Sequence, residues 1–547
     1  MDVGETNERR VAFWIFCVFF CFYFLGLSGH INNADGTIMF HVTKSMVSEA
    51  KLDIPRLSRW PEFGGIESLD RKTGETKFYA RFGLGMSLGA IPAYLIGKLL
   101  VPYVTEREKG IFTHAHYLKT RINPATGNEF VIPDNGLWYE SGKDNFIEAF
   151  EAFSVTWTMP FLIAGILAAL FLICTSLGFS PMASIALVVA AGVASPLWHY
   201  SKDFFSEPLS GFGLTWFLYF ALRASRRIEA GLGWLLAGCA LGILLLAKVA
   251  NAVMLIPCIL LSCSYLSRYP VNGRMLGALL LFVGTGSGAG IILLYNFLRF
   301  GSVWITGYGE EARQWTTPFW EGLAGLLWSP WHGVLVYCPL IFLAFAGMRS
   351  FARRFPKEAL FIGLAFIGHL FLYAKWHGWD GGWCWGPRFL VPVLPISLIP
   401  AVSLFERFPT GFLTRSAMLA VLSVSFVVAL NGVTVSYTDY YIYIETECAR
   451  NVACRDEEGT SDGLKLMNES WAYSPLVKYW NFPIKDYHIL PRVLENPGTI
   501  MGMFVLIFLL FMASCWRLWI IIRNLRSHAC QQSADSRVIE VRLSGGE

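Results

Sequence analysis

Long apolar runs separated by short polar connections recur along nearly the whole chain. Many reach roughly 18 residues or more, enough to cross a ~30 Å hydrocarbon core as helix. The pattern predicts spans at 11–29, 153–178, 182–199, 206–224, 231–248, 250–268, 275–297, 331–349, 358–375, 389–406, 414–435 and 498–522. One further run, Phe82 to Tyr103, is apolar enough to cross. It is interrupted by Gly83, Gly85, Gly89, Pro92, Gly97 and Lys98, and reads as an interfacial or re-entrant element. The expected fold class is an all-α integral membrane protein of about 12 transmembrane helices, with an extracytoplasmic first loop of surface helices over 30–152. Residues 1–435 form the bundle, 436–497 a second outer loop, 498–522 the last span, and 523–547 a polar, mobile cytoplasmic tail.

Lys and Arg in short loops set the orientation. Arg9 and Arg10 precede the first span, and Arg223, Arg226 and Arg227 close the fourth. Arg268 and Arg274, then Arg349, Arg353, Arg354 and Lys357, then Arg407 and Arg415, then Arg523 and Arg526 mark later connections. All fall on one side, the cytoplasmic one, provided that 82–103 does not cross. Residues 298–330 and 376–388 then lie outside with the two large loops.

Composition narrows the classes. Apolar residues make up 54% of the 547, which excludes an ordinary soluble domain. The net charge of +4 comes with no basic tract suited to nucleic acid. There is no Walker-type phosphate loop and no dinucleotide fingerprint. Gly284, Gly286, Gly288 and Gly290 read as small-residue helix packing. No large cytoplasmic domain exists to hold a nucleotide, so an activated donor would arrive through the membrane. Cys448 and Cys454 share a polar loop and can pair if it faces an oxidising compartment.

Candidate chemistry sits at the outer ends of the spans. The segment Trp376-His377-Gly378-Trp379-Asp380-Gly381-Gly382-Trp383-Cys384-Trp385-Gly386-Pro387-Arg388 joins two apolar runs, and a mere connection needs none of its residues. Rigid aromatics beside one fixed guanidinium suit an anionic head group on a greasy or sugary partner. The plain alternative for Trp379, Trp383 and Trp385 is an interfacial aromatic belt. Asp35, in Asn32-Asn33-Ala34-Asp35-Gly36-Thr37, is either a general base or the cap of the helix that follows. Asp203 and Glu207, in the 195–208 connection, either wall a polar cavity or belong to a solvated turn. Lys248, Arg299, Lys375 and Arg388 stand at outer helix ends, against the charge rule. A phosphate at the outer leaflet would explain several of them, and snorkelling is the competing account for Lys248. No spacing matches a recognised metal-ligand set.

This layout resembles the GT-C superfamily of polytopic glycosyltransferases, in the branch of bacterial protein O-mannosyltransferases and lipid A aminoarabinose transferases. Asn33-Ala34-Asp35-Gly36 is similar to the family's acidic position after the first span, although many members carry an Asp-Glu pair there. Tyr79-Ala80-Arg81-Phe82-Gly83-Leu84-Gly85, Phe204-Phe205-Ser206-Glu207-Pro208 and Trp383-Cys384-Trp385-Gly386-Pro387-Arg388 resemble further family segments, and the likeness covers roughly residues 10–435. It implies an inverting transfer of a sugar from a polyprenyl-phosphate carrier to a hydroxyl of a lipid, glycan or protein acceptor. The site would face outward from a multi-pass protein of the bacterial inner membrane. Asp35 would be the base. Arg388, with Arg299 or Lys248, would hold the departing phosphate. Tyr79, Asp203, Glu207, Asp380 and the three Trp would complete the substrate site. No cofactor is required, and a divalent ion stays open. The rival classes are a transporter or flippase of lipid-linked saccharides, and a non-catalytic membrane subunit.

Overall fold

The computed structural model describes residues 3–59, 65–69, 74–113, 120–122, 129–131, 146–226, 231–434, 436–438, 440–441, 444, 463–478 and 489–544. The expected Cys448–Cys454 pairing lies outside these residues. Among the described residues, six helices are long and apolar enough to cross a membrane: Phe146–Ser176, Val249–Leu266, Val271–Phe300, Pro356–Lys375, Phe412–Thr434 and Thr499–Arg523. The first helix, α1 (Val3–Leu25), starts with charged residues Glu5, Glu8, Arg9 and Arg10. Its apolar part leads directly into the segment that carries Asp35.

Several expected spans are broken, and proline accounts for the breaks because it lacks the N–H that continues a helix. The 182–199 run forms Pro181–Val193, then a separate turn Leu197–Tyr200 after Pro196. The 331–349 run divides into Val334–Tyr337 and Ile341–Arg354 around Pro339. The 389–406 run is a chain of short turns punctuated by Pro392, Pro395 and Pro400. Every residue from 384 to 403 is nonetheless buried, so this segment is a packed core strut.

The bundle is layered around Phe146–Ser176, almost wholly buried along its apolar window, whereas Val271–Phe300 and the last helix are largely exposed along theirs. An outward apolar surface of that kind fits contact with lipid. Small residues let two helices cross closely. A Cβ on Gly284 would stand 2.6 Å from the Cys239 backbone nitrogen, in the helix Gly231–Ala247. Gly288 meets Gly242 in the same way, but Gly286 and Gly290 face open space.

The basic connections gather at one end. Lys357 Nζ donates to the Ser264 carbonyl (2.8 Å), Arg354 to that of Gly178 (3.5 Å), and Glu406 accepts from Ser180 Oγ (2.6 Å). The 82–103 run lies at the opposite end. Arg81 pairs with Glu311 (2.5 Å) at its start, and beyond its end Glu108 accepts from the backbone of Thr499 (3.0 Å) and Ile500 (2.6 Å) at the start of the last helix. It forms Gly85–Gly89 and Ile91–Leu100, joined through Ala90, and its longer apolar stretch, Ile91–Tyr103, is shorter than the ~20 residues a crossing needs.

The 30–152 segment, expected as an outer loop of surface helices, is not purely helical. Besides α2 (Ala34–Lys44) it holds two antiparallel hairpins, β1 (Gly65–Leu69) with β2 (Thr76–Ala80), and β3 (Thr120–Ile122) with β4 (Glu129–Val131). Gly74, at φ +70°, lies just before β2. The last helix continues to Ser544, past the expected start of the tail. No Gly or Pro interrupts it between Asn524 and Ser544.

Candidate active site

The site is built where α2 starts. Asn33, not Asp35, caps that helix: its Oδ1 accepts from the Gly36 backbone N–H. Asp35 therefore stands in the first turn with its carboxylate free of the capping role, and the first-turn position suits a negative charge. The turn is pressed onto the 203–205 segment, since a Cβ on Gly36 would lie 2.5 Å from the Phe204 carbonyl.

Arg388 draws the elements together. Its Nη2 donates to Asp35 Oδ2 (2.5 Å), its Nε to Glu207 Oε1 (3.1 Å) and its Nη1 to the Gly381 carbonyl (3.1 Å), with Phe205 beneath it at 3.9 Å. Glu207 is buried at the start of the helix Glu207–Ala224 and also accepts from Lys248 Nζ (3.2 Å). Lys248 lies 4.2 Å from the Phe389 ring centre and 5.2 Å from that of Tyr373. Two cations and two carboxylates thus alternate across one wall. Each buried charge has a partner, as burial requires. Left-handed glycines shape the approach: Gly381 at φ +80°, Gly382 at φ +67° and Gly386 at φ +66°.

Asp35, Lys248 and Arg388 border a cavity of about 510 Å³, with Glu207 buried behind them. Asp35, Arg81, Lys248, Asp380 and Arg388 supply its charged wall, and Phe82, Tyr308, Trp315, Tyr373, Trp376 and Phe389 its aromatic one. Burial pushes the Tyr308 phenol up to about 12, against the pull of the Lys248 ammonium, so it stays a hydrogen-bond donor. Glu311 ties the rim together, pairing with Arg81 and lying 3.6 Å from His377 Nε2.

Other expected site residues stand elsewhere. Asp203 is buried behind Asp35, where its Oδ1 accepts from Asn33 Nδ2 (2.8 Å) and its Oδ2 lies 3.4 Å from His199 Nε2. It touches the cap that sets Asp35, not the cavity. Arg299 is buried against Tyr295 (3.6 Å to the ring centre) and donates to the Ala80 carbonyl (2.6 Å) and Asn296 Oδ1 (3.0 Å). A phosphate at the cavity does not meet it. Tyr79 packs edge-on against Phe300. Trp385 is fully buried beside Tyr337 and His199 and cannot stack on a substrate. Trp383 covers Tyr441, and Trp379 lies against Gly325. Lys375 does not line this cavity.

The aromatic lining comes instead from Trp315, Trp376, Tyr308, Tyr373 and Phe389. Trp376 and His377 belong to the Trp-rich segment itself. Tyr373 and Phe389 carried no signal, since each reads as the apolar end of a span. Among the described residues, no three of His, Cys, Asp and Glu come together as a metal-ligand set.

No family model matches the chain, and no curated protein matches it. Two solved structures of ArnT from Cupriavidus metallidurans are similar to it in fold at low sequence identity. The one bound to undecaprenyl phosphate gives a TM-score of 0.42 at 13% identity, covering 91% of this chain and 79% of that one. The apo structure gives 0.43 at 12% identity, covering 87% and 75%.

Proposed function

We propose that the chain is an inverting glycosyltransferase that moves a sugar from a polyprenyl-phosphate carrier to an acceptor hydroxyl, on the outer face of the membrane. The observation that carries this reading is the meeting of Asp35, Arg388 and Lys248 on one aromatic-lined cavity at the end of the bundle away from the basic connections. The GT-C resemblance implied Asp35 and Arg388 with either Lys248 or Arg299 in one reaction, and of the last two Lys248 lines the cavity.

In this mechanism the carrier phosphate meets Arg388 and Lys248, with its chain along Phe82, Leu372 and Phe389. Arg388 has five N–H donors. Three are engaged with Asp35, Glu207 and Gly381, leaving one on each terminal nitrogen for the phosphate. The acceptor oxygen attacks the sugar's C1 from the opposite face. Its proton passes to Asp35 as the new C1–O bond forms. The old C1–O bond breaks, and its electron pair leaves on the phosphate, which the two cations stabilise. Glu207 keeps Arg388 and Lys248 close together without neutralising both.

The transporter reading has one point in its favour, the proline-broken segment 388–406. Its residues 389–403 are packed and almost wholly apolar, whereas a translocation path needs polar groups at mid-depth. The test is Asp35→Asn in purified, equally folded protein. Sugar transfer should fall by about 10²–10⁴-fold, as for loss of a general base, while carrier binding survives. Transfer at the wild-type rate would remove Asp35 from the chemistry.

A further inference from the structure

A second pocket, of about 680 Å³, adjoins the catalytic cavity. Asp380 lines both. Its Oδ1 accepts from the Gly382 N–H (3.0 Å), and its Oδ2 from Asn468 Nδ2 (3.3 Å), so the carboxylate is held between the two spaces. Asn468 is fixed in turn, its Oδ1 meeting His332 Nδ1 (2.8 Å) and Ser329 Oγ (2.9 Å). Gly381 and Gly382 make the partition thin, because neither puts a side chain into it.

The chemistry of this pocket differs from that of its neighbour. Its walls are the helix Phe319–Trp328 and the helix Gly463–Glu469. Trp328 is 56% exposed, and Trp379 adds a second indole. Glu321, Asp380 and Glu469 supply three carboxylates against one ammonium, Lys465. Flat indoles receive the C–H faces of pyranose rings, and carboxylates and a carboxamide take their hydroxyls. The excess of negative charge disfavours phosphorylated or carboxylated sugars. An extended peptide would need a free strand edge, whereas these walls are helices whose backbone groups are bonded internally.

We propose that this pocket is the acceptor subsite and that it takes a neutral or amino-bearing saccharide, whose reacting hydroxyl reaches past Asp380 toward Asp35. The proposal rests on the transferase reading above. It also gives the exposed Trp328 and the 463–478 segment a role, since neither borders the catalytic cavity.

The test offers the full-length protein in nanodiscs an array of neutral, amino-bearing and carboxylated oligosaccharides, and titrates a polyprenyl phosphate separately. Neutral or amino-bearing members should bind and carboxylated ones should not. Trp328→Ala should weaken the best of them about tenfold, and Glu469→Gln should weaken amino-bearing ones more than neutral ones. Carrier binding with no saccharide binding overturns the acceptor proposal and leaves the donor reading intact. Saccharide binding without carrier binding does the reverse. Preference for carboxylated sugars, or an unchanged affinity in Trp328→Ala, each overturns it as well.

Discussion

Arg388 does two jobs that pull apart under mutation. It faces the proposed phosphate, and it compensates the buried Glu207. Arg388→Lys keeps the charge but loses the fork that reaches Asp35, Glu207 and the Gly381 carbonyl together. Carrier affinity should fall by roughly 10- to 100-fold, the worth of one or two charge-assisted hydrogen bonds. Arg388→Ala should lose more, and should also destabilise the fold, because Glu207 is left with Lys248 alone. Adding Glu207→Gln to Arg388→Ala separates the jobs: thermal stability should return while carrier binding stays lost. Carrier binding at wild-type strength in the folded double variant would move the phosphate off Arg388. The pair Asp35 and Arg388 was legible in the sequence because a charge at a membrane surface needs a reason. Asp203 and Glu207 looked alike there. Both are buried, and only their partners distinguish them, one lying behind the cap and the other between two cations.

At the scale of elements, glycine shows what periodicity leaves out. Gly85 and Gly89 are equivalent interruptions of one apolar run. Yet a Cβ on Gly85 would stand 2.6 Å from the Leu246 carbonyl carbon and 2.7 Å from the Ala247 nitrogen, whereas Gly89 faces open space. Ala247 precedes Lys248, so the surface helix Gly85–Gly89 is pressed against the strut that presents the ammonium. Gly85→Val should cost about 1–3 kcal/mol of stability by overpacking and should weaken carrier binding by displacing Lys248. Gly89→Val should do neither. Equal behaviour of the two in thermal unfolding and carrier titration would uncouple this helix from the site. Helix existence was legible almost throughout the bundle, since apolar length is a strong signal. Continuity was not. Pro339, Pro392, Pro395 and Pro400 lie in runs whose hydropathy is uninterrupted, and hydropathy does not count hydrogen bonds. The hairpin β1–β2 was missed for a related reason: five-residue strands in a polar loop have no apolar face long enough to register.

For the whole molecule, the remaining question is which end faces which compartment, and one short segment decides it. The loops rich in Arg and Lys meet at one end through contacts such as Lys357 to Ser264, while Asp35, Lys248, Glu311 and Arg388 meet at the other. Both flanks of 82–103 lie at the Asp35 end, one tied to Glu311 and the other to Thr499. The charge rule predicts the site outside and the basic loops in the cytoplasm. In spheroplasts expressing a variant without reactive native thiols, cysteines introduced at Lys109 and Glu469 should react with a membrane-impermeant maleimide. Cysteines at Arg353 and Arg407 should react only after permeabilisation. The mirror pattern would turn the protein over and deprive the site of an outer-leaflet carrier. A crossing by 82–103 would give the same mirror pattern but leave a cysteine at Lys51 reactive from outside, whereas reaction at 469 without reaction at 109 would mean an odd number of crossings between them. Because 109 precedes Phe146–Ser176 and 469 precedes the last span, agreement between the two reports that an even number of crossings lies between them, which the ten spans expected there require.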